Sequence, residues 1–366
     1  MNSPNSTNPI LPAPGVGRNL AAVVGAGFPV GRGNDDGPLN PPGRGSFDSS
    51  TNSKALLRCR RPFTMATFNV CTIKADSKAR ELAYCAGTLG IGILGVQEHC
   101  ICHQSPLEFR NIEDHHLITS AAWRNEAQAS VGGVGLLLSR EAKNALCNVR
   151  SYSCRVLSAV FAGNPATTFI VAYSPTNVSD ESDVKEFYDN LRVAIYDTPA
   201  HNFLAVLGDF NARLGQEDVR FPFHESTNRN SQHLADLLVE NNLLAANTCF
   251  QKRPGKRWTF QDRGTKAKCQ LDYLLVRKKW RNSILNAEAY NSFSSLGSDH
   301  RVVGMKVRLS LRVPKRHTKQ STGVNSSQSS VFLGPVEDQV EHRGLSESCI
   351  AWNHKYLVEG AVDLRS

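Results

Sequence analysis

Carboxylates, amides and a histidine recur in this sequence at the ends of short apolar runs. They stand in T-F-N-V (Thr67 to Val70), G-V-Q-E-H (Gly95 to His99), V-A-Y-S-P-T-N (Val171 to Asn177), L-G-D-F-N-A-R-L-G (Leu207 to Gly215), Q-L-D-Y-L-L-V (Gln270 to Val276) and S-D-H (Ser298 to His300). Hard oxygen ligands and neutral amide donors brought by separate strand ends to one place are what a divalent cation and a phosphodiester both require. The set predicts metal-dependent hydrolysis of a phosphodiester. Glu98 follows an apolar strand and is a ligand suited to Mg²⁺ or Mn²⁺. Asp209 and Asn211, two apart, fall on one side of a segment read as extended, where the carboxylate accepts from water or binds metal and the amide donates to a phosphoryl oxygen without adding charge. Asp272 interrupts an otherwise apolar strand, and a carboxylate in that setting needs a charged partner. An imidazolium at His300 supplies one. His300 itself, beside Asp299, is also a natural general base, because its ordinary pKa lies close to neutrality.

The elements that must hold these residues can be read from periodicity. Met65 to Val70 and Ile91 to Val96 are strands joined by a helix whose Ala79, Leu82, Ala83, Ala86 and Leu89 share one face, with Asp76 and Ser77 offered as N-cap and Gly90 as the stop. Further strands are predicted at Val134 to Ser139, Arg155 to Phe161, Thr168 to Tyr173, Phe203 to Leu207, Trp258 to Phe260, Leu271 to Val276 and Arg301 to Leu309. Helices are predicted from Asp183 to Tyr196 and from His233 to Asn242. Strands outnumber helices and several are joined by short links, which favours two packed sheets flanked by helices over a doubly wound parallel sheet.

The chain has 366 residues, 40% of them hydrophobic, enough for one large core. Residues 1–61, rich in Asn, Ser, Pro and Gly, are expected to be a disordered leader, 62–312 the folded domain, and 313–366 a basic, polar and largely disordered tail. The ten cysteines show no repeating spacing and are expected to be mostly reduced and buried. Cys100, Cys102 and His103 lack the second half of a zinc motif. No apolar run is long enough to span a membrane, and residues 20–30 do not make a secretory signal, so an intracellular location is expected. The net charge of +9 is concentrated, with Arg301, Lys306, Arg308, Arg312, Lys315, Arg316 and Lys319 following one another without an acid. That balance favours a polyanionic partner over a small neutral metabolite. With the basic clusters, it makes the nucleus, or else the cytoplasm, the expected compartment.

Taken in order, Asn69, Gln97-Glu98, Tyr173-Ser174-Pro175, Gly208-Asp209-Phe210-Asn211, Leu271-Asp272-Tyr273 and Ser298-Asp299-His300 resemble the endonuclease/exonuclease/phosphatase superfamily. Within it, T-F-N-V, G-V-Q-E-H, G-G-V-G-L-L-L-S (Gly132 to Ser139), A-Y-S-P-T-N and L-D-Y-L-L-V-R are most similar to the endonuclease domain of LINE-type (RTE-like) non-LTR retrotransposons and its craniofacial development protein 2-like host relatives. The resemblance covers about 62–312. It implies a DNase I-like fold, a four-layer α/β sandwich of two packed mixed β-sheets flanked by helices. It implies Glu98 as main metal ligand with Asn69 and Asp299 close to the metal or phosphate. His300, oriented by Asp272, would act on the water or the phosphorane, Asp209 and Asn211 would position water or leaving group, and Tyr173 would hydrogen-bond the phosphate. Either Asp209 or His300 can be the base. Asn177 stands one place later than in apurinic-site members, and Cys71 replaces the acidic or glycine residue frequent there.

The reading that follows is a Mg²⁺- or Mn²⁺-dependent DNA endonuclease leaving a 3′-hydroxyl and a 5′-phosphate. No aromatic-x-Asp-Asp turn follows the domain, so no reverse transcriptase is expected in this chain. A monomer without an obligate protein partner is expected, with Asn177, Arg229, Arg263 and Lys268 as candidate DNA contacts. The competing readings are a non-catalytic DNA- or chromatin-binding protein on a decayed nuclease fold, and a phosphomonoesterase or phospholipase of the same fold.

Overall fold

The computed structural model describes residues 55–309 and the backbone of Val23–Gly25. The expected tail 313–366 and most of the expected leader lie outside the described residues. The chain first lays down β1 (Pro62–Asn69), helix α1 (Asp76–Thr88), β2 (Ile93–Gln97), the hairpin β3 (Leu107–Ile112) and β4 (His115–Ser120), and β5 (Val134–Ser139). After the short helix α2 (Arg140–Ala145) it builds a second sheet from β6 (Leu146–Ser153), β7 (Val156–Phe161), β8 (Thr167–Tyr173), β9 (Phe203–Asp209), β10 (Leu243–Ala245) and β11 (Asp272–Arg277). Helices α3 (Glu181–Tyr196) and α4 (Arg229–Glu240) belong to this half, and β12 (Ile284–Tyr290) and β13 (Val302–Arg308) return to the first sheet. The sheet orders are β12-β13-β1-β2-β5-β4-β3 and, with Val23–Gly25 at its edge, β6-β7-β8-β9-β11-β10.

The two sheets repeat one plan. Each centres on a parallel pair, β1 with β2 and β8 with β9, and each pair is flanked on both sides by antiparallel strands. Strand periodicity sorts side chains into layers. Along β8 and β9, Phe169, Val171, Ala205 and Leu207 point between the sheets, while Ile170, Ala172, Leu204 and Val206 meet Phe187, Leu191 and Leu237 of α3 and α4. On the other side Ala66, Phe68, Leu94 and Val96 meet Leu82 and Ala86 of α1. The result is helix, sheet, sheet, helix, the DNase I-like arrangement. The sheets pack tightly where β2 faces β9: a Cβ on Gly95 would lie 2.8 Å from Leu207 Cβ, so this approach favours glycine. The Gln97 side-chain amide then donates to the Leu207 carbonyl at 3.3 Å, bridging the sheets just below the strand ends.

Several boundaries differ from the sequence reading. Ala55, Leu56 and Leu57 are buried in the core, and Leu56 N–H donates to Ala162 O at 2.8 Å, so the packed domain begins before residue 62. Val23–Gly25, inside the expected leader, pairs antiparallel with β6. Helix α1 is capped by Ala75 without a side-chain bond, and Asp76 is already in its first turn, where its charge suits the helix dipole. Helix α4 starts at Arg229, earlier than its apolar face suggests, because Asn228 and Ser231 form a reciprocal capping box. The cysteines among the described residues are free thiols, but only Cys100 and Cys269 are buried, and Cys59 and Cys147 are exposed. No helix among the described residues is long and apolar enough to cross a membrane.

Candidate active site

Parallel strands deliver their C-terminal ends to the same edge, and here both parallel pairs end at one cleft. Register places Asn69 beside Gln97 in the first pair and Tyr173 beside Asp209 in the second. The chain turns sharply just after three of the four strands. Glu98, Cys71 and Asn211 all take left-handed backbone angles, with φ of +54°, +55° and +47°. Non-glycine residues rarely adopt that conformation, and here three of them flank the same group of side chains. Asn211 is therefore not on an extended segment. Its N–H folds back onto Asp209 Oδ1 at 3.1 Å and its Nδ2 donates to Ser174 O at 3.0 Å, an Asx-type turn that fixes the Asp209 carboxylate.

Asn69 ties the two strand pairs together. Its Nδ2 donates to Glu98 Oε1 at 2.8 Å and to Asp209 Oδ2 at 3.0 Å. Tyr173 is buried close to the same carboxylate, and burial followed by the charges of Glu98 and Asp209 pushes its phenol far above its usual range. On the other flank His300 Nδ1 donates to Asp272 Oδ2 at 3.0 Å, and its Nε2 lies 3.8 Å from Asp209 Oδ2. Asp209 and Asp272 are 1% and 0% exposed, so each needs a partner. Desolvation, then repulsion from Asp272, raises Asp209 to about 7, with His300 and the Asn69 hydrogen bond pulling the other way. For His300, burial favours the neutral ring, but the carboxylates of Asp272 and Asp209 outweigh it and hold the imidazolium to about pH 10.

Asp299 joins this group indirectly. The Cys71 thiol donates to its Oδ1 at 3.0 Å, and Arg263 Nε donates to its Oδ2 at 3.1 Å. Burial and the bond to Asp299 push the Cys71 thiol up to about 12, so it stays protonated as a donor. Ser298 Oγ donates to Asn69 O at 2.7 Å and accepts the His300 N–H at 3.0 Å, which sets the histidine against the end of β1. Of the other candidates, Arg263 reaches the site through Asp299. Arg229 instead donates to Ser179 O at 2.8 Å, fastening the loop that carries the exposed Asn177. Lys268 is exposed, its Nζ 5.0 Å from the Trp258 ring.

The donor set suits a hard divalent cation. Glu98, Asp209, Asp272 and Asp299 converge, whereas the cations set against them are His300 and Arg263. Glu98, half-exposed, accepts from the neutral donor Asn69 and forms no ion pair among the described residues. Asp209, Asp272 and His300 also offer ligand atoms within 4.8 Å of one another, but there the imidazolium already lies between the two carboxylates.

Sequence reading missed three contributors. Thr259 is fully buried, and its Oγ1 accepts from Leu271 N at 2.9 Å and Asp272 N at 3.1 Å, fixing the start of β11. A threonine inside an apolar run was the available signal. Arg155 and Trp123 stack beside Tyr173, with the guanidinium 4.3 Å from the Trp123 ring and 5.2 Å from the Tyr173 ring. Nothing in local sequence marks that stack, because Trp123 lies on a separate hairpin.

No family model matches the chain. It is similar to craniofacial development protein 2 of Tragulus javanicus, at 27% identity over 294 residues, 78% of this chain and 49% of that protein. The chain thus spans about half the length of the curated relatives it matches. Among solved structures, the Neisseria 3′ phosphatase NExo bound to a product DNA hairpin superposes with TM-score 0.54 at 18% identity, covering 68% of this chain and 100% of that one. The AP endonuclease LMAP of Leishmania major gives TM-score 0.54 at 12% identity, covering 72% and 96%. These likenesses agree with the layer order and sheet topology in assigning the DNase I-like fold.

Proposed function

We propose that this chain is a divalent-metal-dependent DNA endonuclease derived from a retrotransposon. The observation that carries the proposal is the Asn69 side chain, which donates to both Glu98 and Asp209 and so joins a cation-seeking carboxylate to a buried carboxylate–imidazolium relay. Mg²⁺ or Mn²⁺ would be held by Glu98, with Asn69 and Asp299 alongside, and would supply Lewis-acid stabilisation of charge on the phosphoryl and leaving oxygens. Asp209, raised to about 7, accepts the proton of the attacking water. His300, kept cationic by Asp272, faces the phosphoryl oxygens that gain charge. Tyr173 and Asn211 orient the phosphate. Water adds to phosphorus as Asp209 takes its proton, the bond from phosphorus to O3′ breaks, and O3′ takes a proton from solvent, so the products are a 3′-hydroxyl and a 5′-phosphate.

The partner is DNA, met by Arg263, Lys268, Asn177 and Arg229. The protein acts as a nuclear monomer. The DNA-bound 3′ phosphatase among the structural neighbours favours one alternative, hydrolysis of a terminal 3′-phosphate on DNA by the same groups. Supercoiled plasmid and a 3′-phosphorylated duplex, each incubated with Mg²⁺ or with EDTA, test both. Metal-dependent nicking that disappears in an E98A/H300A double variant is expected. Phosphate release without nicking selects the alternative, and neither activity in a folded, DNA-binding protein selects the non-catalytic reading.

A further inference from the structure

We propose that Arg155 is a positioning residue for Tyr173, and that Trp123 is the wall against which its guanidinium is held. The inference rests on the endonuclease reading of the site. Arg155 sits just before β7, and three contacts run from it to Tyr173. The Tyr173 N–H donates to Arg155 O at 2.9 Å, Arg155 Nη1 donates to Tyr173 O at 3.3 Å, and the guanidinium carbon lies 5.2 Å from the tyrosine ring centroid. Its distance to the Trp123 ring is 4.3 Å. Arg155 is half-buried and forms no ion pair among the described residues, so carbonyl and aromatic faces carry its charge.

Trp123 can occupy this place because of one glycine. Gly132, at φ +69°, has no side chain, and a Cβ there would fall 1.9 Å from the Trp123 ring. The Gly132 carbonyl also accepts the Cys100 N–H at 2.9 Å, two residues beyond Glu98. The hairpin bearing Trp123 is therefore fastened to the Glu98 turn, while Arg155 is fastened to Tyr173. Together they brace Tyr173 on one side and the Glu98 turn on the other. A planar guanidinium is needed for this, since it must stack and donate at once. An ammonium keeps the charge but loses the stacked plane.

The test is a kinetic double-variant cycle on supercoiled plasmid with Mg²⁺, using wild type, R155A, R155K, Y173F and R155A/Y173F. R155A and Y173F are each expected to lower kcat by about 10²-fold with little change in KM. The double variant should fall no further than Y173F alone, and R155K should recover only part of the loss. Wild-type turnover in R155A, or singly measured losses that multiply in the double variant, overturns the assignment. Should R155A fail to fold, R155K and W123L carry the same comparison. An inactive wild type would count against the endonuclease reading instead. The positioning role would then be read from the ring resonances of isotope-labelled Tyr173, identified by their loss in Y173F. R155A must shift them, and unchanged resonances overturn the proposal.

Discussion

The two sheets share a plan and put it to different uses. In the first, the central parallel pair ends at Asn69 and Glu98, and the acid there is half-exposed and accepts from the neutral amide of Asn69. In the second, the equivalent pair ends at Tyr173 and Asp209, and Asp209 with its neighbour Asp272 is sealed from solvent around an imidazolium. The same backbone geometry thus leaves one carboxylate partly open and buries two others, a difference the proposed mechanism assigns to cation binding and proton transfer. Burial decides the difference, because an open carboxylate stays ionised and free to bind, whereas a sealed one must be paired. Asn69 and His300, both supplied by the first sheet, reach across to Asp209 and Asp272 of the second, so neither half is complete alone.

The comparison can be broken most severely in the buried half. Asp209→Asn removes the proton acceptor, and plasmid nicking should drop by roughly 10²–10⁴-fold while far-UV dichroism is unchanged. His300→Ala leaves Asp209 and Asp272 facing each other without their cation. Besides loss of turnover, urea unfolding should show a stability loss of about 3–5 kcal/mol.

Titration should sharpen the same contrast. Turnover is expected to rise as Asp209 loses its proton near pH 7 and to fall as His300 loses its proton near pH 10. The His300 shift from 6.5 to about 10 means that the folded protein keeps a proton the unfolded chain has released. Its contribution to stability is therefore fully present below about pH 6.5 and is lost as pH rises through about 10. Melting temperature should decline over that interval in wild type and decline less in His300→Gln.

A smaller effect is expected where the sheets touch. Gly95→Ala places a methyl 2.8 Å from Leu207 Cβ, which should cost about 1–3 kcal/mol in urea unfolding and reduce turnover by separating the strand ends. The smallest is expected at Cys71→Ser, whose hydroxyl can still donate to Asp299 and should leave turnover within about tenfold of wild type.

The halves also differed in how far they could be read from sequence. Apolar runs ending in Asn69, Glu98 and Asp209 were legible, since fully buried central strands carry continuous hydrophobic stretches and their polar ends stand out. Helices α1 and α3 were legible from one-sided apolar spacing. The β3–β4 hairpin was not, because β3 is an edge strand whose Glu108, Phe109, Arg110 and Asn111 are largely outside the core. Strand β12, with Asn286 and Glu288 alternating against buried Ala287 and Ala289, carries too little apolar bulk to declare itself. In the site, the residues named for their own chemistry are the ones the fold brings together, Asn69, Glu98, Asp209, Asp272 and His300 among them. Thr259 and Arg155 make their contacts to Asp272 and Tyr173 on other strands, and such contacts exist only in the fold.

The central claim is that the open half seats the cation and the sealed half moves the proton. Mn²⁺ titration followed by paramagnetic resonance, run beside plasmid nicking on Glu98→Ala and Asp272→Asn, tests it directly. The account predicts that Glu98→Ala loses the bound ion, and that Asp272→Asn keeps it while losing turnover. Retained Mn²⁺ binding in Glu98→Ala together with lost binding in Asp272→Asn would contradict it and move the cation to Asp209, Asp272 and His300.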